Sequence, residues 1–266
     1  MANARKPNFL VIGAQKSGTT YLCAALARHP LVFHSTPKEL LFFQRADVDD
    51  ASFDRYLQDH FSAAGDAPWV GEGSAVYLQW PRALANIRRH LGDDLTLFAC
   101  LRQPTDRAVS FYLHNLRKGR FDGSERIADI ADDIRLSPVT TSFYGEHIAR
   151  WQDAYGERLH FLLFDDLVAE PERFVRQATD ILGIPPVTAM KDDAVNRGFS
   201  LAWEGDALTV VGDLPAGAKR PRFTRAELED LHARVLGDVD RTAALIGRSL
   251  AHWKRMPEFT AKQANF

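Results

Sequence analysis

Two glycines, Gly13 and Gly18, enclose Ala14-Gln15-Lys16-Ser17, and Thr19-Thr20 follow directly. Loop N–H groups, the hydroxyls of Ser17, Thr19 and Thr20, and one ammonium are thereby gathered on a short turn, the chemistry of an anion cradle. Gly-x-x-x-x-Gly is the spacing of a nucleotide-binding P-loop, whose ordinary form has lysine directly after the second glycine. Thr19 stands there instead, and the lysine has moved to Lys16, within reach of the bridging region of a bound phosphate anhydride. A structural glycine turn with a solvated lysine is the competing reading of the same residues, although two glycines at this spacing fix an uncommon shape.

Two further clusters carry chemistry. Lys38-Glu39 leads into Leu40-Leu41-Phe42-Phe43. It reads either as a carboxylate held beside the loop or as a helix start with acidic charge near its N-terminus. Arg102 ends the apolar run 95–101, where open α/β sheets place ligands. Ser110 follows one or two helical turns on, and His114 lies one turn beyond it on the same face. A guanidinium fork and a hydroxyl suit a second phosphate. The alternative pairs Arg102 with Asp106 and leaves Ser110 facing solvent. No second metal ligand stands at a fitting spacing from His114, so that histidine lines a core or cleft, or serves as the base if Glu39 does not.

These residues need elements to hold them. The apolar run 9–12 predicts a buried strand and 21–27 a helix, so the glycine loop sits between strand and helix. Short strands are expected near 31–33 and 69–72, with an outer helix around Phe53, Tyr56, Leu57 and Phe61 between them. A helix opened by Pro81 runs over 81–91. The strand 95–101 feeds a helix begun by Pro104-Thr105, and residues 115–138, with Arg117, Lys118 and Arg120, read as a charged loop. A helix from Phe143 through Trp151, a strand over 159–164, a turn at Asp165-Asp166-Leu167 and a helix over 171–182 closed by Gly183 come next. Asn196-Arg197-Gly198-Phe199 precedes a hairpin over 200–211 turning at Glu204-Gly205-Asp206. The last helix, 224–246, is capped by Thr224 with Glu227 three residues on. Strands alternating with helices predict one α/β domain over 1–266: a P-loop-containing three-layer sandwich, its central sheet mainly parallel, with helices on both faces.

The 266 residues are 45% hydrophobic and 26% charged, enough for a sizeable core, and the net charge of −2 provides no global field for nucleic acid or an anionic membrane. Cys23 and Cys100 sit in apolar runs and read as buried thiols. Residues 1–7 are polar without the apolar core of a signal peptide, and no run reaches membrane-spanning length, so a cytoplasmic protein is expected.

Gln15-Lys16-Ser17-Gly18-Thr19-Thr20-Tyr21-Leu22 resembles the 5′-phosphosulfate loop of the sulfotransferases that use 3′-phosphoadenosine 5′-phosphosulfate (PAPS). The chain is most similar to their heparan-sulfate-type branch, that of the N-deacetylase/N-sulfotransferases and 3-O-sulfotransferases, in the form of a bacterial-type cytoplasmic member. The resemblance implies that Gln15, Lys16, Ser17, Gly18, Thr19 and Thr20 hold the 5′-phosphosulfate, that Arg102 and Ser110 hold the 3′-phosphate, and that Glu39 is the general base. It also implies that Phe199 packs on the adenine and that a basic loop, here Gly217 with Lys219 and Arg220, covers the nucleotide. Lys38, Ser74, Tyr77 and Tyr144 then fall on the acceptor side. The family's Glu-Lys-Ser/Thr-Pro-x-Tyr stretch reads Glu72-Gly73-Ser74-Ala75-Val76-Tyr77 here, without its lysine and proline. Secreted-pathway relatives often staple the 200–211 hairpin with a disulfide, and the matching places near Leu201 and Val210 are apolar, in keeping with a reducing compartment.

The reaction so implied moves a sulfuryl group from PAPS to a hydroxyl or amine of a glycan, lipid or small metabolite, leaving adenosine 3′,5′-bisphosphate (PAP), with no metal and no nucleic acid. Acceptor and oligomeric state are not legible. A P-loop kinase or NTPase would want lysine at position 19 and a strand-end aspartate for magnesium where Arg102 stands. A non-catalytic nucleotide-binding module would leave Glu39 dispensable.

Overall fold

The computed structural model describes residues 4–131, 138–188 and 198–259. Asn196 and Arg197, expected ahead of the hairpin, lie outside them. The elements run β1 (Phe9–Gly13), α1 (Thr19–Leu26), β2 (Val32–His34), α2 (Asp50–Phe61), β3 (Trp69–Gly73), α3 (Pro81–Leu91), β4 (Thr96–Leu101), α4 (Pro104–Arg117), α5 (Tyr144–Tyr155), β5 (Leu159–Leu163), α6 (Phe164–Ala169), α7 (Pro171–Ile181), β6 (Ser200–Glu204), β7 (Ala207–Val211), β8 (Arg222–Thr224) and α8 (Arg225–Ile246). The chain divides into two compact units, 4–101 with 147–188, and 102–131 and 138–146 with 198–259.

The first unit is a parallel sheet in the order β2-β3-β1-β4-β5. Every residue of β1 is buried, which is why Phe9-Leu10-Val11-Ile12 shows no polar alternation. From β1 the chain goes first to the edge strand β2, comes back to β3 beside β1, then crosses to β4 and β5 on the other side. The turn after β1 therefore occupies the switch point where α/β sheets gather ligands. The β1–β4 register shifts between Val11 and Gly13, and the Ala14 N–H then donates to the Cys100 carbonyl at 2.7 Å, leading the chain out of the sheet. Helix α2 is started by a capping box, Asp49 accepting from the Ser52 N–H and Ser52 accepting from the Asp49 N–H.

The second unit joins α4 and α8 to an antiparallel sheet, β6-β7-β8. Its core gathers Tyr112, Leu116, Leu208, Phe223, Leu231 and Val235 among others. Thr224 and Glu227 form the expected capping box at α8. Arg107 of α4 is fully buried, its Nε and Nη2 donating to the Ser142 hydroxyl and Nη2 also to Thr141 and the Pro138 carbonyl.

Four local expectations change. No helix starts over 36–41; a single 3-10 turn, Phe42–Gln44, comes after it instead. Asp165 and Asp166 sit in the first turn of α6, where carboxylates suit the helix dipole, so the expected turn is helical. Helix α4 runs on to Arg117 because Tyr112, Leu113 and Leu116 continue its buried face. Beyond the basic run 219–222, Arg222-Phe223-Thr224 adds a third strand to the hairpin.

Candidate active site

The loop after β1 is shaped by its backbone. Lys16 and Gly18 both take positive φ, 67° and 89°. A Cβ on Gly18 would lie 2.8 Å from Leu167 Cδ2, so glycine is required by conformation and by space. Gly18 is the N-cap of α1 and offers no side chain to its first N–H groups, and no acidic residue stands in the first turn. Ser17 is fully buried, and its Oγ has no hydrogen-bond partner among the described residues. Thr19 is buried, while Gln15, Lys16 and Thr20 are half-exposed. An uncapped helix start, a buried hydroxyl without a partner and a nearby ammonium are a donor set that fits a phosphate or sulfate.

The Lys38-Glu39 segment belongs to no helix or strand. Its two side chains pair with each other, Lys38 Nζ to Glu39 Oε1 at 3.0 Å, and both are partly exposed, at 16% and 28%. The residues just C-terminal to the pair fix the loop. Phe42 and Phe43 are buried among Phe53 and Tyr56 of α2 and Tyr77, with the Phe42 ring stacked on Tyr56 at 4.3 Å. Asn86 of α3 donates to the carbonyls of Phe43 and Arg45 at 2.9 and 3.0 Å. The two phenylalanines are thus an aromatic anchor for the carboxylate a few residues earlier.

Gly73 explains the missing family lysine. A Cβ there would lie 2.3 Å from Cys23 Sγ and 3.3 Å from Lys38 Cε. The volume a side chain at 73 would need is filled by the Cys23 sulfur and the stem of Lys38, so a cation is still present beside Gly73, supplied from a different segment.

Ser74 and Tyr77 are fully buried, and both hydroxyls turn inward to Glu72. Glu72 was not singled out by its sequence neighbourhood. Its carboxylate, wholly buried at the end of β3, accepts from Tyr56 (3.1 Å), Tyr77 (2.9 Å) and Ser74 (3.1 Å). Burial pushes its pKa up to about 7, against the three hydroxyl donors, which lower it. Two signals were available: a carboxylate inside an otherwise apolar strand, Trp69-Val70-Gly71-Glu72, and the place of Glu72 at the head of the Glu-Lys-Ser/Thr-Pro-x-Tyr stretch.

In the second unit Arg102 is buried and held by Asp106 through two bonds, Nε to Oδ2 at 2.6 Å and Nη2 to Oδ1 at 2.8 Å. The Tyr144 hydroxyl, also buried, donates to the Arg102 carbonyl at 2.9 Å and accepts from its N–H at 3.4 Å, fixing this corner by its backbone. Ser110 and His114 are half-buried on α4. Phe199 is partly buried against the unit's core, and the Arg117 guanidinium lies over its ring at 4.8 Å. Gly217 has open space around it; Lys219 pairs with Asp122 at 3.3 Å; Arg220 donates to the carbonyls of Val210 and Gly212. Both cysteines are free and buried. Among the described residues no cluster of three or more metal-ligating side chains occurs, and no helix is long and apolar enough to cross a membrane.

Known proteins align with this architecture. A sulfotransferase of known structure from Alicyclobacillus acidocaldarius superposes over 94% of this chain and all of its own, with a TM-score of 0.71 at 24% identity, and so shares the fold. The bifunctional heparan sulfate N-deacetylase/N-sulfotransferase 3 of Mus musculus is 28% identical over 94% of this chain, which spans 31% of that relative's length. The heparan sulfate glucosamine 3-O-sulfotransferase 6 of Homo sapiens is 28% identical over 73% of this chain and 58% of its own. The chain thus covers less than two thirds of these curated relatives. Residues 6–197, most of the chain and all of the parallel sheet, match the sulfotransferase domain, and the protein belongs to that family.

Proposed function

We propose that the protein transfers a sulfuryl group from PAPS to a hydroxyl or amine of a small-molecule, lipid or glycan acceptor. The observation that carries this reading is the loop after β1: a buried Ser17 hydroxyl without a protein partner, an uncapped α1 and Lys16 in mid-loop, on a chain of the sulfotransferase family. The amides of Ser17 to Thr20 hold the 5′-phosphosulfate, with Gln15 beside them. Arg102 and Ser110 take the 3′-phosphate, Phe199 the adenine, and Gly217, Lys219 and Arg220 the covering loop.

In the reaction, Glu39 accepts the proton of the acceptor O–H or N–H as the oxygen or nitrogen attacks sulfur. A new bond to sulfur forms while the bridging sulfur–oxygen bond of the donor breaks. The electron pair stays on the 5′-phosphate of departing PAP, where Lys16 neutralises it. The moving group carries less charge than a phosphoryl, so lysine serves in place of a metal. Lys38 stands next to Glu39 and provides the acceptor side with the cation that position 73 lacks. His114 is the base held in reserve. Buried free thiols agree with a reducing, cytoplasmic setting, and neither nucleic acid nor a membrane span enters the reading.

Calorimetry with PAP against ATP and magnesium tests the donor. PAP binding without magnesium supports it, and binding of ATP alone overturns it. Labelled PAPS incubated with an extract then identifies the acceptor as the molecule that gains sulfate; binding without transfer to anything would leave a nucleotide-binding module.

A further inference from the structure

We infer that Glu72 is a positioning residue: its carboxylate orients the Ser74 and Tyr77 hydroxyls so that they hold the segment carrying Glu39. The geometry is a relay with two arms. Ser74 Oγ donates to Glu72 Oε2 at 3.1 Å and accepts the Leu41 N–H at 3.0 Å. Tyr77 OH donates to Glu72 Oε1 at 2.9 Å and accepts the Phe43 N–H at 3.2 Å. A hydroxyl owns one proton. With both protons committed to the carboxylate, only lone pairs are left to face the two amides, so the anion sets the direction of every bond in the relay.

The relay matters because neither a helix nor a strand ladder holds this segment. Residues 39–41 lie in no helix or strand, and Leu41 takes a left-handed φ of 57°. Glu72 itself is anchored in the sheet, opposite Leu10 of β1, and Tyr56 adds a third donor to it from α2. The relay thus ties the loop bearing the carboxylate to the same strand pair that launches the P-loop. Its catalytic meaning rests on the reading of Glu39 as base; the relay itself does not.

Amide hydrogen exchange on the full chain tests it. Ser74→Ala should speed exchange at Leu41 and spare Phe43; Tyr77→Phe should do the reverse, each by about tenfold, the size of one lost hydrogen bond. Glu72→Gln, whose amide must donate to one hydroxyl and reorient it, should speed exchange at one or both positions while the amides of β1 keep their protection. Its PAP affinity should stay within about twofold of the parent while turnover falls about tenfold. Unchanged exchange at Leu41 and Phe43 in all three variants overturns the relay, as does a loss spread equally over β1. Failure of the sulfotransferase reading is seen separately, as a parent protein that binds no PAP.

Discussion

The loop after β1 and the corner after β4 are assigned to the two phosphate groups of one donor, yet they prepare for an anion in opposite ways. The loop keeps neutral donors open: Ser17 Oγ without a partner and an α1 start without a side-chain cap. The corner supplies its own anion, Asp106, to a buried Arg102. The difference comes from the cost of leaving each group alone. An unsatisfied buried N–H or hydroxyl costs roughly 1–3 kcal/mol, which a fold can carry. A buried guanidinium without a counter-ion costs several. Neutral donors can therefore wait for a ligand, whereas a dry cation cannot. On the proposed reading, binding at the loop would be a gain of new bonds. At Arg102 it would be an exchange of, or addition to, the existing pair with Asp106.

The strongest way to break the comparison is to remove the two charges assigned to chemistry. Glu39→Gln should lower turnover by roughly 10²–10⁴ with PAP affinity nearly unchanged, measured by single-turnover transfer and calorimetry. Lys16→Ala should lower turnover by a comparable order and also weaken PAP, because the ground-state phosphate is already anionic. Next comes the corner. Arg102→Ala strands the Asp106 carboxylate and should destabilise the protein by about 3–5 kcal/mol in denaturant unfolding, beyond any loss of ligand. Asp106→Asn should lower Tm in the absence of ligand but enlarge the Tm rise produced by PAP, since the ligand then replaces the lost counter-charge. Equal PAP-induced shifts in parent and Asp106→Asn would show that Arg102 does not meet the 3′-phosphate.

Glu72 sharpens the contrast as a buried charge served by hydroxyls. Its folded pKa of about 7 lies above the ordinary carboxylate value, so the folded state binds the proton more tightly. Its contribution is therefore fully present at low pH and lost as pH rises from about 4.5 through 7. His34, held down to about 4 by burial, has the opposite slope between its folded and ordinary values and masks part of this. The difference in unfolding free energy between parent and Glu72→Gln isolates the carboxylate, and should change by an amount on the order of 3 kcal/mol across that window. The smallest effect expected is at Phe199. Phe199→Ala should weaken PAP by about 1–3 kcal/mol if the ring meets the adenine. Unchanged binding with lowered stability would leave the ring to Arg117 and the core of its unit.

The parts of the molecule written in short-range patterns were readable in advance. Apolar runs marked β1, β4 and β5, prolines opened α3, α4 and α7, and Thr224 with Glu227 began α8. The parts that depend on distant partners were not. Strand β8 is only Arg222-Phe223-Thr224, too short for a pattern, and exists because β7 pairs with it. A helix start was one of two readings of Lys38-Glu39, beside that of a carboxylate held near the P-loop; no helix forms there, and the loop is pinned by hydroxyls and an asparagine from other elements. Glu72 was visible only as the head of a family stretch, because a carboxylate in a strand says nothing of the three hydroxyls that converge on it. The Arg102–Asp106 pair was visible as one of two alternatives, since Asp106 falls in the first turn of the helix that begins just after Arg102.

The crowding over Gly73 sets the terms for any exchange of that stretch. A Cβ at position 73 would lie 2.3 Å from Cys23 Sγ, which must move, and 3.3 Å from Lys38 Cε, the far end of a flexible stem that need give only by a few tenths of an ångström. A lysine introduced at 73 alone should therefore strain against the sulfur, and a smaller residue at 23 is the partner change that leaves it room.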